Sequence, residues 1–290
     1  MKLGVLFPQT EFGSDPAAIK DYAQTAEALG FKHIVCYEHV LGANPDRPDG
    51  WKGIYSMHDS FLEPFVLYSF MAAFTDQIEL ATGILILPQR QTPLVAKQAA
   101  TLDVLCGGRL RLGVAIGWNA VEFAGMGWDF HTRGRRFEEQ VELLRSLWTE
   151  PAVTFSGRWE QMPNAGINPL PVQRPIPLWF GGHSDPVIDR TARLADGWMP
   201  TIRRAEDAAP ALSKLEERLE AAGRSLDGFG IEARGVYQDG KMDELLDLME
   251  EWRSAGATHF TVNTMRGGLS GPQDHLRVLR TLGEALQPSA

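Results

Sequence analysis

Several features are scarce in this chain of 290 residues, and each scarcity closes off a class of protein. Only two cysteines occur, Cys36 and Cys106, far apart and each inside an apolar stretch. They read as buried reduced thiols, and a disulfide framework is not indicated. No long run of lysine or arginine is present and the formal net charge is −9, so nucleic acid and anionic membrane are poor partners. Any anion must be bound by a local site. Long hydrophobic runs are missing as well: Phe65 to Phe74, the longest apolar tract, is too short to span a bilayer and follows Glu63-Pro64. The segment Met1 to Pro8 has too short an apolar run for a signal peptide and no small-residue cleavage site after it, so a cytoplasmic protein is expected. There is no G-x-S-x-G elbow and no P-loop, and the histidines His131, His183 and His259 are scattered, with no metal-ligand spacing. No metal is expected.

What is present is a regular alternation of short apolar runs and amphipathic helices. Hydrophobic residues make up 44% and charged residues 22%, enough for a sizeable core in a globular chain. Strands are expected at Leu3 to Phe7, His33 to Tyr37, Ile78 to Leu87, Leu110 to Ile116, Leu178 to Phe180, around Gly197 to Met199, Phe229 to Tyr237, and His259 to Asn263. Helices with one apolar face fall between them: Asp15-Pro16 opens the first and Gly30 closes it, and a second is expected from about Phe61 to Thr75. Residues 38 to 60 form a long loop, the kind that is usually functional. An insertion from about 151 to 175, after the fourth helix, contains a predicted hairpin, Val153 to Phe155 with Gly157 to Trp159. Eight strand-helix units without a linker between halves fit a single closed (β/α)8 barrel over residues 1–290. The runner-up, a doubly wound sheet, would want a glycine-rich fingerprint after the first strand, and Phe7 to Gly13 holds one glycine.

In a barrel the function sits at the C-terminal ends of the strands. There, Gly181 and Gly182 follow a strand, and Asp185-Pro186 then opens a helix, a geometry that can present unpaired N–H groups to a phosphate. A tight turn with no ligand fits the same residues. His39, with Glu38 beside it, is the best proton-transfer candidate, although a histidine that only packs fits equally well. Strand ends this rich in glycine and apolar residues suit a flat cofactor that brings its own reactivity.

Four separated segments in consistent order are similar to the bacterial luciferase-like monooxygenase family, especially members that use the deazaflavin coenzyme F420. They are Phe31 to Val40, Ala81 to Arg90, Arg109 to Asn119 followed by Glu122-Phe123, and Pro177 to Pro200. The resemblance implies a luciferase-like barrel binding F420, or alternatively FMN, and transferring a hydride or activating oxygen on a small organic substrate. A non-catalytic flavin-binding member is the reading from another class. By the same resemblance Glu38 and His39 lie beside the ring, and Gly83-Ile84 forms a bulge with a non-proline cis peptide behind it. Gly113, Ala115, Ile116, Gly117 and Trp118 line the polyol chain, and Gly181, Gly182, His183 and Ser184 meet the phosphate. Family members that oxidise sugar phosphates carry a glutamate where this chain has Trp118, so the monooxygenase-type branches are the better match. An F420 tail would need cations at the rim, for which Arg203 and Arg204 are the nearest basic pair. Arg133, Arg135, Arg136, Glu138 and Glu139 are read as a solvated face or salt-bridge network, and Trp51, Trp118, Trp128 and Trp159 as possible walls of an apolar pocket. The expected partners are the substrate and further copies of this chain, as a homodimer or higher homo-oligomer.

Overall fold

The computed structural model describes residues 1–286, so 287–290 of the expected domain, and the side chain of Leu286, lie outside the description. Eight parallel strand positions close on themselves. Strand β1 (Lys2–Leu6) pairs with β2 (His33–Cys36) and β11 (His259–Asn263), and the ring runs on through β10 (Gly230–Val236), β9 (Gly197–Met199), β8 (Leu178–Gly181) and β5 (Leu110–Ala115). Pairing of β5 with β3 (Glu79–Thr82) completes it.

One strand differs from expectation. The run Ile78 to Leu87 is interrupted at Gly83-Ile84, and β4 (Leu85–Ile86) resumes the pairing with β5. The bulge is therefore there, but the peptide is trans: among the described residues the cis bonds are Asn168-Pro169 and Arg174-Pro175.

Local chemistry sets the helix ends. In α2 (Pro16–Ala28) the Asp15 carboxylate accepts from the Ala17 N–H, and the first-turn proline gives up an N–H that would have had no partner. Helix α3 is shorter than expected, Pro64–Ala72, because Glu63 accepts from Val66 N–H and fixes the start. Helices α4 (Thr92–Leu105), α6 (Arg133–Thr149), α7 (Asp185–Leu194), α8 (Ala205–Ala221), α9 (Met242–Ser254) and α10 (Pro272–Leu286) complete the outer layer, and Trp148, Trp198 and Trp252 are fully buried in the core.

The insertion holds an antiparallel pair, β6 (Val153–Ser156) and β7 (Gln161–Ala165). Gly157 to Trp159, expected as the second strand, is the turn instead. Glu139 accepts from the N–H groups of Arg158, Trp159 and Glu160, which diverts them from a ladder.

The lower end of the lumen is ionic. Arg111 of β5 reaches Glu79 at 2.6 Å and Glu232 of β10, Thr261 donates to Glu232 at 2.6 Å, and His33 meets Thr261 at 2.8 Å. Trp179 lies 4.1 Å from the Arg111 guanidinium.

Candidate active site

A cavity of about 460 Å³ opens at the C-terminal ends of the strands, a size suited to a small organic ligand. Tyr37, His39, Ile84, Trp118, Arg203 and Arg234 are among its walls.

His39 follows β2, and its side chain is 9% exposed. Its Nδ1 is 3.2 Å from Glu122, and the rings of Tyr55, Phe61 and Trp118 surround it with centroids at 5.3, 5.0 and 5.7 Å. Glu122 is fully buried and also accepts from the N–H groups of Val40 at 2.6 Å and Leu41 at 3.2 Å. Burial pushes its carboxyl up, but the hydrogen bond and charge of His39 and the Leu41 N–H outweigh that and hold it below its ordinary value. An ionised Glu122 accepts a hydrogen bond from Nδ1–H, which fixes the tautomer and leaves Nε2 as the nitrogen for chemistry.

Glu122 is placed by its helix. Asn119 caps α5 (Ala120–Gly125), its side chain accepting from Val121 and Glu122 N–H. Asn119-x-x-Glu122 is thus a capping-box pattern, but the glutamate turns to the β2 loop instead of back to the cap. That pattern was the available signal for a residue the sequence reading left without a role.

Glu38 does something different from what was expected of it. Its buried carboxylate accepts from Ile86 N–H at 2.5 Å and from Arg90 through Nε at 2.8 Å and a second guanidinium nitrogen, and Arg90 also bonds Glu63 at 2.9 Å. Burial raises the Glu38 carboxyl while Arg90 opposes the shift, and Glu38 in turn helps hold Arg90 above its ordinary value. A carboxylate so committed is a positioning group that ties the Gly83-Ile84 bulge to β2, not a free acid or base.

The remaining residues divide by location. Gly83, Ile84, Gly117, Trp118 and Arg203 line the cavity. Gly113 faces neighbouring strands, where an added Cβ would lie 2.0 Å from the Thr82 carbonyl. Ala115, Ile116 and Gly181 border a narrow gap beside Arg190, and Ile84 joins the two spaces, 2.7 Å from where a Gly181 Cβ would stand.

Gly182 has φ +112°, a conformation suited to glycine, but its N–H donates to the Met199 carbonyl at 3.2 Å and cannot meet a phosphate directly. The donors left at the start of α7 are Ser184, whose side chain makes no capping bond, and the preceding backbone. His183 meets the Thr201 hydroxyl at 2.6 Å, with Thr201 on the cavity wall.

Arg204 is taken up by Glu251 and, at 3.7 Å, Glu206, so only Arg203 faces the cavity. Trp51 stacks on Trp118 at 5.8 Å beside the mouth. Trp128 and Trp159 pack instead against Arg136 and Arg158. Arg136 is itself buried, donating to the Pro88 and Arg90 carbonyls, whereas Glu138 forms the expected network with Arg190 and Arg193. Among the described residues no group of three or more metal-ligating side chains converges, and no helix is long and apolar enough to cross a membrane.

A closed (β/α)8 barrel with an oriented histidine in an apolar cavity at its strand ends defines an enzyme of the kind that works on a bound small molecule. The chain belongs to the luciferase-like monooxygenase family, whose model matches residues 1–270, and it is an oxidoreductase of that family. It is 32% identical over 232 residues to the uncharacterised protein Rv0940c of Mycobacterium tuberculosis, covering 75% of this chain and 80% of that one. It is 31% identical to an F420-dependent glucose-6-phosphate dehydrogenase of Kineococcus radiotolerans over 231 residues, 78% of this chain and 64% of the relative. Among solved structures, an F420-dependent secondary alcohol dehydrogenase in complex with an F420-acetone adduct superposes with a TM-score of 0.78 at 17% identity, over 98% of both chains.

Proposed function

We propose that this protein is a coenzyme F420-dependent oxidoreductase, with FMN as the alternative cofactor, acting on a small organic substrate. The observation that carries this reading is the His39–Glu122 pair in the wall of an apolar cavity backed by the Gly83-Ile84 bulge. When bound, the cofactor supplies hydride transfer or, for FMN, oxygen activation. The chain's own residues do the rest. Ile84 offers an apolar face for a flat ring, and Ala115, Ile116 and Gly117 border the way toward α7. There Ser184 and the adjoining backbone would hold a phosphate at the positive end of the helix. Trp118, Tyr55 and Phe61 screen His39 from water. His39 gives or takes a proton at Nε2, and Glu122 stabilises the charged ring.

We read the protein as cytoplasmic, and as a homodimer or higher homo-oligomer, the oligomer supported by exposed Val66 and Leu94 on the adjacent helices α3 and α4. The test is to titrate the purified protein with F420 and with FMN while following fluorescence. Binding of F420 is expected, and binding of neither would end this reading. His39→Ala should retain cofactor affinity within a few-fold while turnover falls by about 100-fold, as for a lost acid-base group.

A further inference from the structure

Arg234 stands out in the lumen because no carboxylate pairs with it directly. It projects inward from β10, two residues after Glu232 and therefore on the same face, one layer nearer the cavity. Glu232 attracts it from the layer below but makes no hydrogen bond to it, since its oxygens are taken by Arg111 and Thr261. Among the described residues no carboxylate lies within ion-pair distance of Arg234. It donates instead to the Tyr37 hydroxyl at 2.8 Å, with the guanidinium 5.4 Å from the centre of that ring. The carboxylates beside the cavity are committed as well, Glu38 to Arg90, and Glu122 to His39 and the N–H groups of Val40 and Leu41. Two further cations stand nearby, Arg203 in the wall beside the rim carboxylates Glu244, Asp247 and Glu251, and Arg266 placed 5.6 Å from the ring of Tyr55, itself a wall residue on which Asp59 also acts.

A guanidinium held in a part-buried site without a direct ion pair keeps donors to spare, and an anion arriving there gains a charge-assisted pair in a low-dielectric setting. Because the Tyr37 oxygen already accepts from Arg234, its own proton is available to donate outward. Guanidinium and phenol together form a two-point receptor for a planar anion. Ile54, Ile202 and Val236 surround the space above it with apolar surface.

We propose that the substrate of this enzyme is an organic carboxylate, bound through its carboxylate group to Arg234 and the Tyr37 hydroxyl with its apolar body beneath Trp118. This rests on the oxidoreductase reading for the word substrate, but the anion receptor itself is testable without cofactor.

Calorimetric titration of the cofactor-free protein with benzoate, and with benzamide as its neutral counterpart, at low and high salt, reads the receptor directly. Benzoate should bind about tenfold or more tightly than benzamide, as for a charge-assisted pair, and the preference should shrink with salt. Arg234→Met should abolish the preference, Arg234→Lys should keep part of it, and Tyr37→Phe, which removes one oxygen, should weaken benzoate a few-fold. Affinity for F420 or FMN should stay within about twofold in Arg234→Met and Tyr37→Phe, because the ring is proposed to lie on the Ile84 side. Equal binding of benzoate and benzamide, or unchanged benzoate binding in folded Arg234→Met, overturns the proposal. So does loss of cofactor with benzoate retained, which would give the arginine to the cofactor. If Arg234→Met does not fold, an undiminished benzoate affinity in Tyr37→Phe together with Arg234→Lys overturns it equally. Benzoate preference in a protein that binds neither cofactor would uphold the receptor while removing the proposed dependence on F420 or FMN.

Discussion

At the lower end of the lumen Arg111 is shared between Glu79 and Glu232, with Thr261 and His33 completing a closed set of partners. One layer higher, Arg234 has a phenol and an open cavity. The same kind of side chain, on the same inner wall, is paired directly with carboxylates in one place and has none within ion-pair distance in the other. Buried ion pairs contribute little net stability when intact but cost much when one partner is removed. The lower layer therefore locks strands β3, β5, β10 and β11 together, whereas the upper layer keeps its charge for recognition. The trade between stability and function is drawn within a single strand, β10, between residues 232 and 234.

The largest effect should come from breaking the lower set. Arg111→Met leaves Glu232 buried without its main partner and should cost about 3–5 kcal/mol in urea unfolding. Arg111→Met combined with Glu232→Leu should recover much of that loss. Arg234→Met should cost far less, since no buried carboxylate is stranded. If Arg234→Met proves the more destabilising of the two, the contrast between the layers is wrong.

A smaller effect, on pH dependence, sharpens the same contrast. Burial, helped by Arg111 and opposed by Glu232, depresses the His33 imidazole to about 4. In the fold it stays neutral where the unfolded chain binds a proton, so its contribution is whole above about pH 6.5 and is lost as pH falls toward 4. Glu232 continues the loss at lower pH: burial pushes it up, but Arg111, His33 and the Thr261 hydroxyl hold it at about 2. Each group adds a slope of up to about 1.4 kcal/mol per pH unit over its window. His33→Gln should flatten the slope between pH 6.5 and 4 in denaturant unfolding. An unchanged slope in that variant would mean His33 is already protonated in the fold or is not the group responsible.

The two layers also differ in how much of them could be read from the chain. Barrel topology was legible because its signals are local: strand runs, Asp15-Pro16 and Asp185-Pro186 at helix starts, and the uninterrupted βα alternation. The acidic-His pair was found, yet neighbours in sequence were given one role and have two, because Glu38 meets Arg90 and His39 meets Glu122, contacts set by packing between distant elements. Arg111 with Glu232, 121 residues apart, and Tyr37 with Arg234, 197 apart, leave no mark in any short motif. Only closure of the ring brings them together. The glycine loop shows the opposite failure: Gly182 was recognised as special, but its N–H is spent on Met199, whose approach depends on the pairing of β8 with β9.

The smallest expected effect concerns the rim, where cations and carboxylates are mixed. Arg203 faces the cavity and also a neighbouring hollow that includes Glu244, Asp247 and Glu251, and Arg204 is paired with Glu251. An arginine already paired at the surface gains little from a second anion, because its charge is largely cancelled and the remainder is screened by solvent. Arg204→Ser should thus change F420 affinity by less than about twofold. Arg203→Ser should weaken it by a few-fold at low ionic strength, with the difference fading as salt is raised, and should leave FMN nearly unaffected because FMN has no tail to reach the rim. The measurement is the fluorescence titration of both variants with both cofactors at two salt concentrations. Equal loss for F420 and FMN in Arg203→Ser would place this arginine at the part the cofactors share, near the phosphate, and would make FMN the better-supported ligand. No loss for either would mean that the carboxylates beside Arg203 neutralise it as they do Arg204, leaving Arg234 as the sole cation in the cavity wall free to act on a ligand among the described residues.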